Sequence, residues 1–533
     1  MRITNKIMQR NNLSNINTNK VYQDTLSNQM STQKKINRPS DDPVVAIRAL
    51  RLRSNVTEIT QYYSKNIPDA ESWLSVTEDA LKNLSQIMTN MISQCTKGSN
   101  GDLKTTDRQI ILEQLKALGE EVYSTGDADY AGRYVFTGYR TDTALSFDKQ
   151  QKLEYSITEQ LNSSAIDSVT HINLTDGTND SVLDLNSSNY MQMDINEENV
   201  SSVEVHRIRL AYDNCLDYAG LTGTSPSIEF TDENGNRQTW TGIIDPNDPA
   251  AGGDITLMHS YEDPYSEAAN NDDAIVYVPE TGELLLGKNK YQELMKTKDN
   301  DATTENEAEI RVTYRKESWQ KGDLRPEHYF YCESNPDSAT DKLVFNTSYL
   351  SDEAERQDIE YDVGFNQTIR VNSTADQCFQ HGIGREVDDL VSAMQNVQKL
   401  ETIQTKIKDL LAKAPENSNE KKKLQTQLDA IDKALTLAKD KEQKMFEKGI
   451  TTFQGYLDDA SLCITECGTR SSKLSLIKNR MQNQKTTFET LKSENEDIDI
   501  TEVAIQLSSA ELTYEAALMA TGKVMQTTLL NFI

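Results

Sequence analysis

Residues 500–524 read ITEVAIQLSSAELTYEAALMATGKV, and this stretch determines how the rest of the chain is interpreted. Apolar or small side chains recur along it at alternating spacings of three and four positions. These positions are Ile500, Val503, Leu507, Ala510, Tyr514, Ala517, Thr521 and Val524. The spacing is that of the a and d positions of a coiled coil, which become buried only against another helix. The stretch therefore predicts a C-terminal helix that needs a partner, and Leu529 extends its apolar face.

The N-terminal segment, residues 1–37, is the candidate partner. It is rich in Asn, Gln, Ser and Thr, and its apolar residues recur at roughly helical spacing. These residues are Ile3, Ile7, Leu13, Ile16, Tyr22, Leu26, Met30 and Ile36. Because several core positions hold Asn or Gln, an isolated helix of this composition is marginal in water. We predict that both chain ends form one assembly interface, with the N-terminal contributions coming from Ile3, Ile7, Leu13, Ile16 and Leu26.

The N-terminal segment ends at the motif Arg-Pro-Ser-Asp-Asp-Pro, residues 38–43. Its two prolines interrupt any continuous helix, because proline lacks the backbone donor that a helix interior needs. One of the three residues between them is suited to cap the next helix, whose first turn would contain the second proline. We interpret these residues as a hinge between two helical layers: Pro39, Ser40, Asp41, Asp42 and Pro43.

The rest of the chain changes from helical to β patterns and back. Helices are predicted from Val44 to a glycine-rich stop at 98–101, and at 105–124, 384–413 and 419–492. Between about 147 and 374 the apolar period becomes two, which predicts strands joined by hairpins. The clearest strands are 227–231, 274–278, 283–286, 309–314, 329–331, 359–363 and 368–371. Residues 400–448 are interpreted as an extended helical hairpin.

This layout is symmetric about the middle of the chain and predicts a nested α+β fold. Both chain ends would form a long antiparallel helical bundle, and a β-rich insert would form an outer domain. The predicted domains are 1–43 with 495–533, 44–147 with 359–494, and 148–358. The first of these is expected to order only on assembly.

Acidic residues are concentrated in the predicted insert. The formal net charge of the chain is −29, and residues 148–374 hold 44 Asp and Glu against 17 Lys and Arg. Such a surface repels nucleic acid and anionic membranes, so neither is expected as a partner. The chain has no apolar run long enough to span a membrane. Its start lacks the apolar core of a secretory signal, so any export would use an uncleaved N-terminus.

The sequence predicts neither catalysis nor a bound cofactor or metal. The five His are far apart, and Cys463 and Cys467 lack the further ligands of a metal site. Residues 232–236 favour a hairpin turn over a calcium loop, because the distal Glu of such a loop is missing. We therefore predict that the protein has no catalytic residues and is not an enzyme.

Local motifs resemble the flagellin superfamily and, within it, the hook-associated junction family. The segment 29–43 ends in the motif at 38–43, and Val44-Val45-Ala46 follows where flagellins are Ala-rich. The segments 136–143, 468–474 and 499–504 are similar to further motifs of the junction family, in the order that the family has them. The resemblance covers about 1–147 and 359–533, and it does not extend to the insert at 148–358.

The resemblance implies a subunit of the bacterial flagellum, exported unfolded through the flagellar type III apparatus. An export chaperone in the cytoplasm would hold the C-terminal region. Outside the cell, copies of the chain would form a ring of about eleven subunits, between the other hook-associated junction protein and the first layer of flagellin. Marginal terminal helices suit this role, because their ordering would be coupled to assembly.

Two alternatives remain open at this point. A divergent flagellin that forms the filament itself would share most of these patterns, but the prolines at 39 and 43 favour the junction family. A flagellin-like protein with an enzymatic or adhesive insert is the third reading. No catalytic signature in 148–358 supports it.

Overall fold

The computed structural model of the protein describes residues 5–100, 103–174, 182–186, 189–217, 226–232, 236–244, 252–296, 310–338, 340–350, 357–416 and 418–526. The chain divides into two compact units. Unit 1 contains both chain ends and comprises Met1–Glu71, Glu360–Ile369 and Ser471–Ile533. Unit 2 comprises Ser72–Ile359 and Arg370–Arg470.

The described helices in chain order are α1 (Asn5–Thr32), α2 (Pro43–Gln61), α3 (Ile67–Gly98), α4 (Thr105–Gly126), α5 (Pro264–Asn270), α6 (Lys288–Met295), α7 (Ala375–Cys378), α8 (His381–Lys413), α9 (Asn419–Glu496) and α10 (Ile500–Gln526). The strands are β1 (Asp129–Tyr130), β2 (Arg133–Tyr134), β3 (Gln151–Leu161), β4 (Ile166–Asn173), β5 (Ser201–Arg209), β6 (Ser227–Thr231), β7 (Arg237–Thr241), β8 (Ile243–Ile244), β9 (Ile255–Leu257), β10 (Ile275–Val278), β11 (Glu283–Leu286), β12 (Ile310–Trp319), β13 (Tyr331–Ser334), β14 (Leu343–Phe345), β15 (Glu360–Gly364) and β16 (Gln367–Arg370).

The described part of unit 1 is mainly helical and also contains the two-stranded sheet of β15 and β16. The turn Tyr62–Asn66 between α2 and α3 is π-helical, so the helix continues through it with one wider turn. The hairpin packs beside this turn. The Asn66 side-chain amide donates to the Asp362 carbonyl at 2.8 Å, and the ring of Tyr62 meets Phe365 edge to face, with centroids 5.8 Å apart.

Unit 2 contains two six-stranded sheets. The strand orders are β4-β5-β11-β10-β9-β8 and β14-β13-β3-β12-β6-β7. In the second sheet, β12 pairs antiparallel with β3 on one side and β6 on the other. Buried and half-buried positions alternate along most of β12, because successive side chains of a strand point to opposite faces. The first sheet is mixed, since β9 runs parallel to both β8 and β10.

The helices α8 and α9 extend as a hairpin whose core is shared with the β-rich region. Apolar residues of both helices form one buried cluster with residues from the segment between β4 and β5. The cluster includes Val182, Leu185, Met193, Ile195 and Val200 from that segment, with Val397, Leu400, Ile403 and Ile407 from α8 and Leu424, Leu428, Ile431 and Leu435 from α9. A side chain that fills such a core contributes about 1.5–3 kcal/mol.

A buried network of charges joins the first sheet to α8. Arg209 on β5 contacts Asp389 at 2.5 Å and Glu386 at 2.9 Å, and Arg207 is paired with Glu283 and Asp389. Arg207 is 4% exposed. A buried charge is tolerated only when it is paired, so each of these side chains depends on the others.

The structure confirms helices at both chain ends and a β-rich middle region, as the sequence pattern predicted. It differs in detail within that region. The strand predicted at 329–331 begins only at Tyr331, and the chain before it contains a short 3₁₀ turn at Pro326–His328. Helices α5 and α6 lie among the strands, although the period-two pattern did not predict them. The turn expected at 233–235 lies outside the described residues.

Candidate assembly interface

The helices α1 and α10 pack against each other in unit 1. The end of α1 lies beside the start of α10, so the two helices run antiparallel. Their buried cluster consists of Leu26, Val503 and Ala510, with Ile498 and Leu507 packed against it. Asp499 caps α10, since its carboxylate accepts from the backbone N–H of Thr501 at 2.9 Å and Glu502 at 3.2 Å.

The predicted interface residues differ in how far they are buried. Leu26, Val503, Ala510 and Thr521 are buried, whereas Ile16, Leu507, Tyr514 and Ala517 are half-buried. Three others are exposed in this chain by itself, namely Ile7 at 50%, Leu13 at 60% and Ile500 at 50%. Ile3 and Leu529 lie outside the described residues, as does the side chain of Val524. The role of all these residues in assembly stays a prediction.

A second apolar stripe lies on α10, which the sequence reasoning missed. Ile505, Leu512 and Met519 are 66%, 68% and 69% exposed and follow one another at intervals of seven residues. Seven residues are nearly two helical turns, so the three side chains share one face. The same spacing is present in the sequence, but the sequence analysis identified only the longer stripe that starts at Ile500 as the apolar face. We call Ile505, Leu512 and Met519 the outer stripe.

The segment that follows α1 and the segment that precedes α10 are held together by their backbones. The Lys35 N–H donates to the Glu496 carbonyl at 2.7 Å, and the Ile498 N–H donates to the Gln33 carbonyl at 3.3 Å. Lys34 and Asp497 form an antiparallel β-bridge between these bonds, and their side chains form an ion pair. The chain ends are therefore joined where α1 stops and α10 begins.

Glu496 is the charged centre of this junction. Its side chain is 3% exposed and accepts two hydrogen bonds from the Arg53 guanidinium, at 2.6 and 2.7 Å. The Lys34 ammonium lies 3.7 Å from the same carboxylate. The hydrogen bonds from Arg53 hold the pKa of Glu496 below its usual value, and those from Lys34 and Ser493 do the same for the pKa of Asp497. We call Lys34, Arg53, Glu496 and Asp497 the linker clamp.

The residues predicted as a hinge form a hydrogen-bonded turn between α1 and α2. The Asp42 carboxylate caps α2 by accepting from the N–H groups of Val44 at 2.9 Å and Val45 at 3.1 Å, and Pro43 occupies the first turn. Asp41 accepts from the N–H groups of residues 37 and 38, at 3.2 and 2.9 Å. Pro39 and Ser40 are exposed. Their role as a hinge stays a prediction.

Several ionisable groups are buried in unit 2. Burial raises the pKa of Glu159 to about 7, and its carboxylate accepts from the Tyr314 hydroxyl and from the Ala211 N–H at 2.9 Å. Burial lowers the pKa of His328 to about 4 and that of His381 to about 3. In the described part of the chain, no group of three or more His, Cys, Asp or Glu is arranged to hold a metal ion. No described helix is long and apolar enough to cross a membrane.

Comparison with known proteins gives a match over the N-terminal part of the chain. Residues 3–141 match the family described as the bacterial flagellin N-terminal helical region. This range contains α1, the residues 39–43, α2, α3 and α4. The resemblance of this part of the chain to the flagellin family is thereby confirmed.

Within that class, the particular likeness is to flagellar hook-associated protein 3. The chain is 29% identical over 168 residues to the protein of that name from Salmonella typhimurium, which covers 31% of this chain and 52% of the relative. It is 28% identical over 193 residues to the one from Escherichia coli, covering 36% and 59%. The flagellin of Clostridium tyrobutyricum is 28% identical over 122 residues, covering 23% of this chain and 32% of the flagellin. The chain thus spans somewhat more than half the length of the two hook-associated relatives.

Solved structures of similar proteins align over most of the chain at low similarity. A putative flagellar hook-associated protein from Vibrio parahaemolyticus covers 86% of this chain and all of its own, with 14% identity and a TM-score of 0.33. Hook-associated protein 3 from Legionella pneumophila covers 83% and 97%, with 9% identity and a TM-score of 0.28. Scores of this size do not establish a common fold.

Proposed function

We propose that this chain is a structural subunit of the bacterial flagellum that forms the junction ring between hook and filament, on which flagellin assembles. The observation that carries the proposal is the outer stripe on α10. One face of α10 is covered by α1, whereas the outer stripe has three large apolar side chains at least 66% exposed. Burying each would contribute about 1.5–3 kcal/mol, so neighbouring copies of the pair would gain by packing together.

The small core between α1 and α10 explains why this packing would occur late. A pair held by Leu26, Val503, Ala510 and their neighbours is marginal alone. The ends would therefore stay open during export through the flagellar type III apparatus, without a cleaved signal peptide. They would become ordered when neighbouring subunits bury the outer stripe, which couples folding to assembly.

The proposed partners follow from this arrangement and from the relatives. They are further copies of the chain in a ring of about eleven subunits, the other hook-associated junction protein, flagellin, and an export chaperone that holds the C-terminal region. The proposal places 1–43 with 495–533 in an inner domain that orders on assembly, 44–147 with 359–494 in a helical domain, and 148–358 in an outer domain. The protein acts outside the cell and does not act as an enzyme.

The likeness to a flagellin supports a second candidate, a divergent filament subunit. The two functions differ in what the purified chain does alone. In the absence of flagellin, a junction subunit remains a monomer or forms a closed ring, whereas a filament subunit polymerises into long filaments. Electron microscopy of the concentrated protein distinguishes them, and long filaments from the pure chain would overturn the junction role.

The test of the interface uses Leu512→Asp with Leu462→Asp as its matched control. Both leucines are exposed on helices, at 68% and 60%, but Leu462 lies on α9 in unit 2. A charge in the outer stripe should abolish swimming in soft agar and leave the monomer folded by circular dichroism. The control should swim normally. Normal motility of the Leu512→Asp strain would contradict the proposed interface.

A further inference from the structure

The thiols of Cys378 and Cys463 meet inside unit 2. Cys378 is the last residue of α7, Cys463 lies in α9, and both are buried and unbonded cysteines. Each thiol changes the pKa of the other, so the two side chains are neighbours. Two neighbouring thiols are a potential covalent site, and nothing in the proposed assembly role uses them.

Backbone carbonyls of the segment 374–377 lie beside both thiols. The Cys463 thiol lies 4.0 Å from the carbonyl of Gln377, the residue before Cys378. The Cys378 thiol donates to the Thr374 carbonyl at 3.5 Å. A disulfide between them requires the two sulfurs to approach to the bonded distance of about 2.0 Å.

The neighbouring thiol of Cys467 is a poor alternative partner for Cys463. The two are four residues apart on one helix, which places their Cβ atoms about 5–6 Å apart. A disulfide requires Cβ atoms about 3.5–4.5 Å apart. The Cys467 thiol instead donates to the Leu74 carbonyl at 3.4 Å. Geometry therefore selects Cys378 as the partner of Cys463.

The pKa shifts also divide the chemical roles between the two thiols. The interaction with Cys378 lowers the pKa of Cys463, while the interaction with Cys463 and burial raise the pKa of Cys378. The thiolate is the reactive form of cysteine. Cys463 is thus the first nucleophile, and Cys378 follows as the resolving thiol.

We propose that Cys378 and Cys463 form an intramolecular disulfide when the chain folds in a medium that contains a small-molecule disulfide as oxidant. The Cys463 thiolate attacks one sulfur of the oxidant, forms a mixed disulfide and releases the first small thiolate. Cys378 gives its proton to that thiolate and then attacks the Cys463 sulfur of the mixed disulfide. This attack releases the second small thiolate, which takes up a proton from solvent. Overall, two protein thiols are oxidised and one small-molecule disulfide is reduced to two thiols.

The bond would link α7 to α9 and close a loop that contains all of α8. Such a long loop restricts the unfolded chain, so the disulfide should stabilise unit 2. The bond would form before α7 is fully packed, because both sulfurs are buried in the folded unit. The proposal does not depend on the flagellar role.

The test refolds the full chain from guanidinium chloride in glutathione buffer that is mostly oxidised, and separately in dithiothreitol. Free thiols are alkylated under denaturing conditions, and intact mass and peptide mapping follow. We expect two of the six thiols to be lost and one linked peptide that joins Cys378 to Cys463. The oxidised protein should also melt several degrees higher than the reduced protein.

Variants make the assignment specific. Cys378→Ser and Cys463→Ser should each abolish the linked peptide and the gain in Tm, whereas the matched control Cys467→Ser should keep both. Six free thiols in the refolded wild type, a linked peptide between other cysteines, or glutathione retained on Cys463 alone would overturn the proposal. A lower Tm after oxidation would also overturn it. If a serine variant fails to fold, the peptide map of the wild type still shows whether Cys378 and Cys463 are linked.

Discussion

The two units of this chain differ in how completely each buries its apolar side chains. In unit 2, every residue of β10 and β11 is buried, and a large cluster joins α8 and α9 to the β-rich region. In unit 1, α1 and α10 share a cluster of three buried residues, while the outer stripe remains exposed. Unit 2 buries these apolar residues itself, whereas unit 1 leaves the outer stripe uncovered.

This difference separates two sources of stability. Unit 2 should fold from its own burial of apolar surface, which is the dominant favourable contribution in folding. In the proposed role, the terminal helices depend on the linker clamp and on the burial of the outer stripe by another chain. The contrast would then explain how a subunit remains a monomer at first and orders its ends on assembly.

The largest expected effect comes from removing the C-terminal helix. Deletion of Val503 to Ile533 should abolish motility, because α10 supplies both the contact with α1 and the outer stripe. Unit 2 should remain folded. All three Trp lie in unit 2, at positions 73, 240 and 319, so the fluorescence of the deletion variant should match that of the full chain. Normal flagella on cells that carry only the truncated protein would contradict this role for α10.

The pH dependence of unit 2 is the next largest effect. Glu159 has a pKa near 7 in the folded chain against an ordinary value of 4.5, so its contribution is present below pH 4.5 and is lost as the pH rises to about 7. Glu159→Gln should remove this dependence, which amounts to about 3 kcal/mol. Urea unfolding followed by Trp fluorescence at pH 5 and pH 8 measures it. The exposed Glu198→Gln is the control, and equal pH dependence in the wild type and Glu159→Gln would refute the assignment.

A smaller effect is expected at the linker clamp. Arg53→Ala or Glu496→Gln should destabilise the pairing of the chain ends by about 1–2 kcal/mol, because the Arg53 side chain is half exposed to solvent. Hydrogen exchange of α1 and α10 should accelerate, while that of unit 2 stays unchanged. Arg48→Ala, an exposed neighbour on α2, is the matched control.

Acid should weaken the same junction in the wild type. The folded pKa of Glu496 is lowered, so its contribution is present above pH 4.5 and is lost as the pH falls through the folded value. Exchange in α1 and α10 should therefore rise on acidification in the wild type but less in Glu496→Gln. An equal acid response in both proteins would show that another group is responsible.

Local patterns in the sequence predicted the helices well, because their signals lie within a few residues. The stripe from Ile500, the stop at residues 98–101 and the cap before α2 are all short-range features. The outer stripe shows the limit of this reasoning. When a helix has two apolar faces, the spacing in the sequence identifies apolar positions, but only the burial of the side chains shows which face is covered.

Long-range pairings were beyond what one sequence can give. Arg53 and Glu496 are 443 residues apart, and nothing near either residue identifies the other. The order of strands in the first sheet could not be predicted either, since β5 pairs with β11 and β9 runs parallel to β10. A short apolar run does not encode its partner or direction. The helices α5 and α6 were missed because each is too short for a clear helical period.

The most direct measurement of the contrast between the two units is limited proteolysis of the purified monomer, with fragments identified by mass spectrometry. The account predicts rapid cleavage within α1 and α10, because their pairing is marginal without neighbours. A stable fragment near residues 45–495 should remain, with unit 2 intact. Resistance of the full-length monomer, at protease levels that digest an unfolded control, would show that the chain ends are already stably folded and would contradict the account.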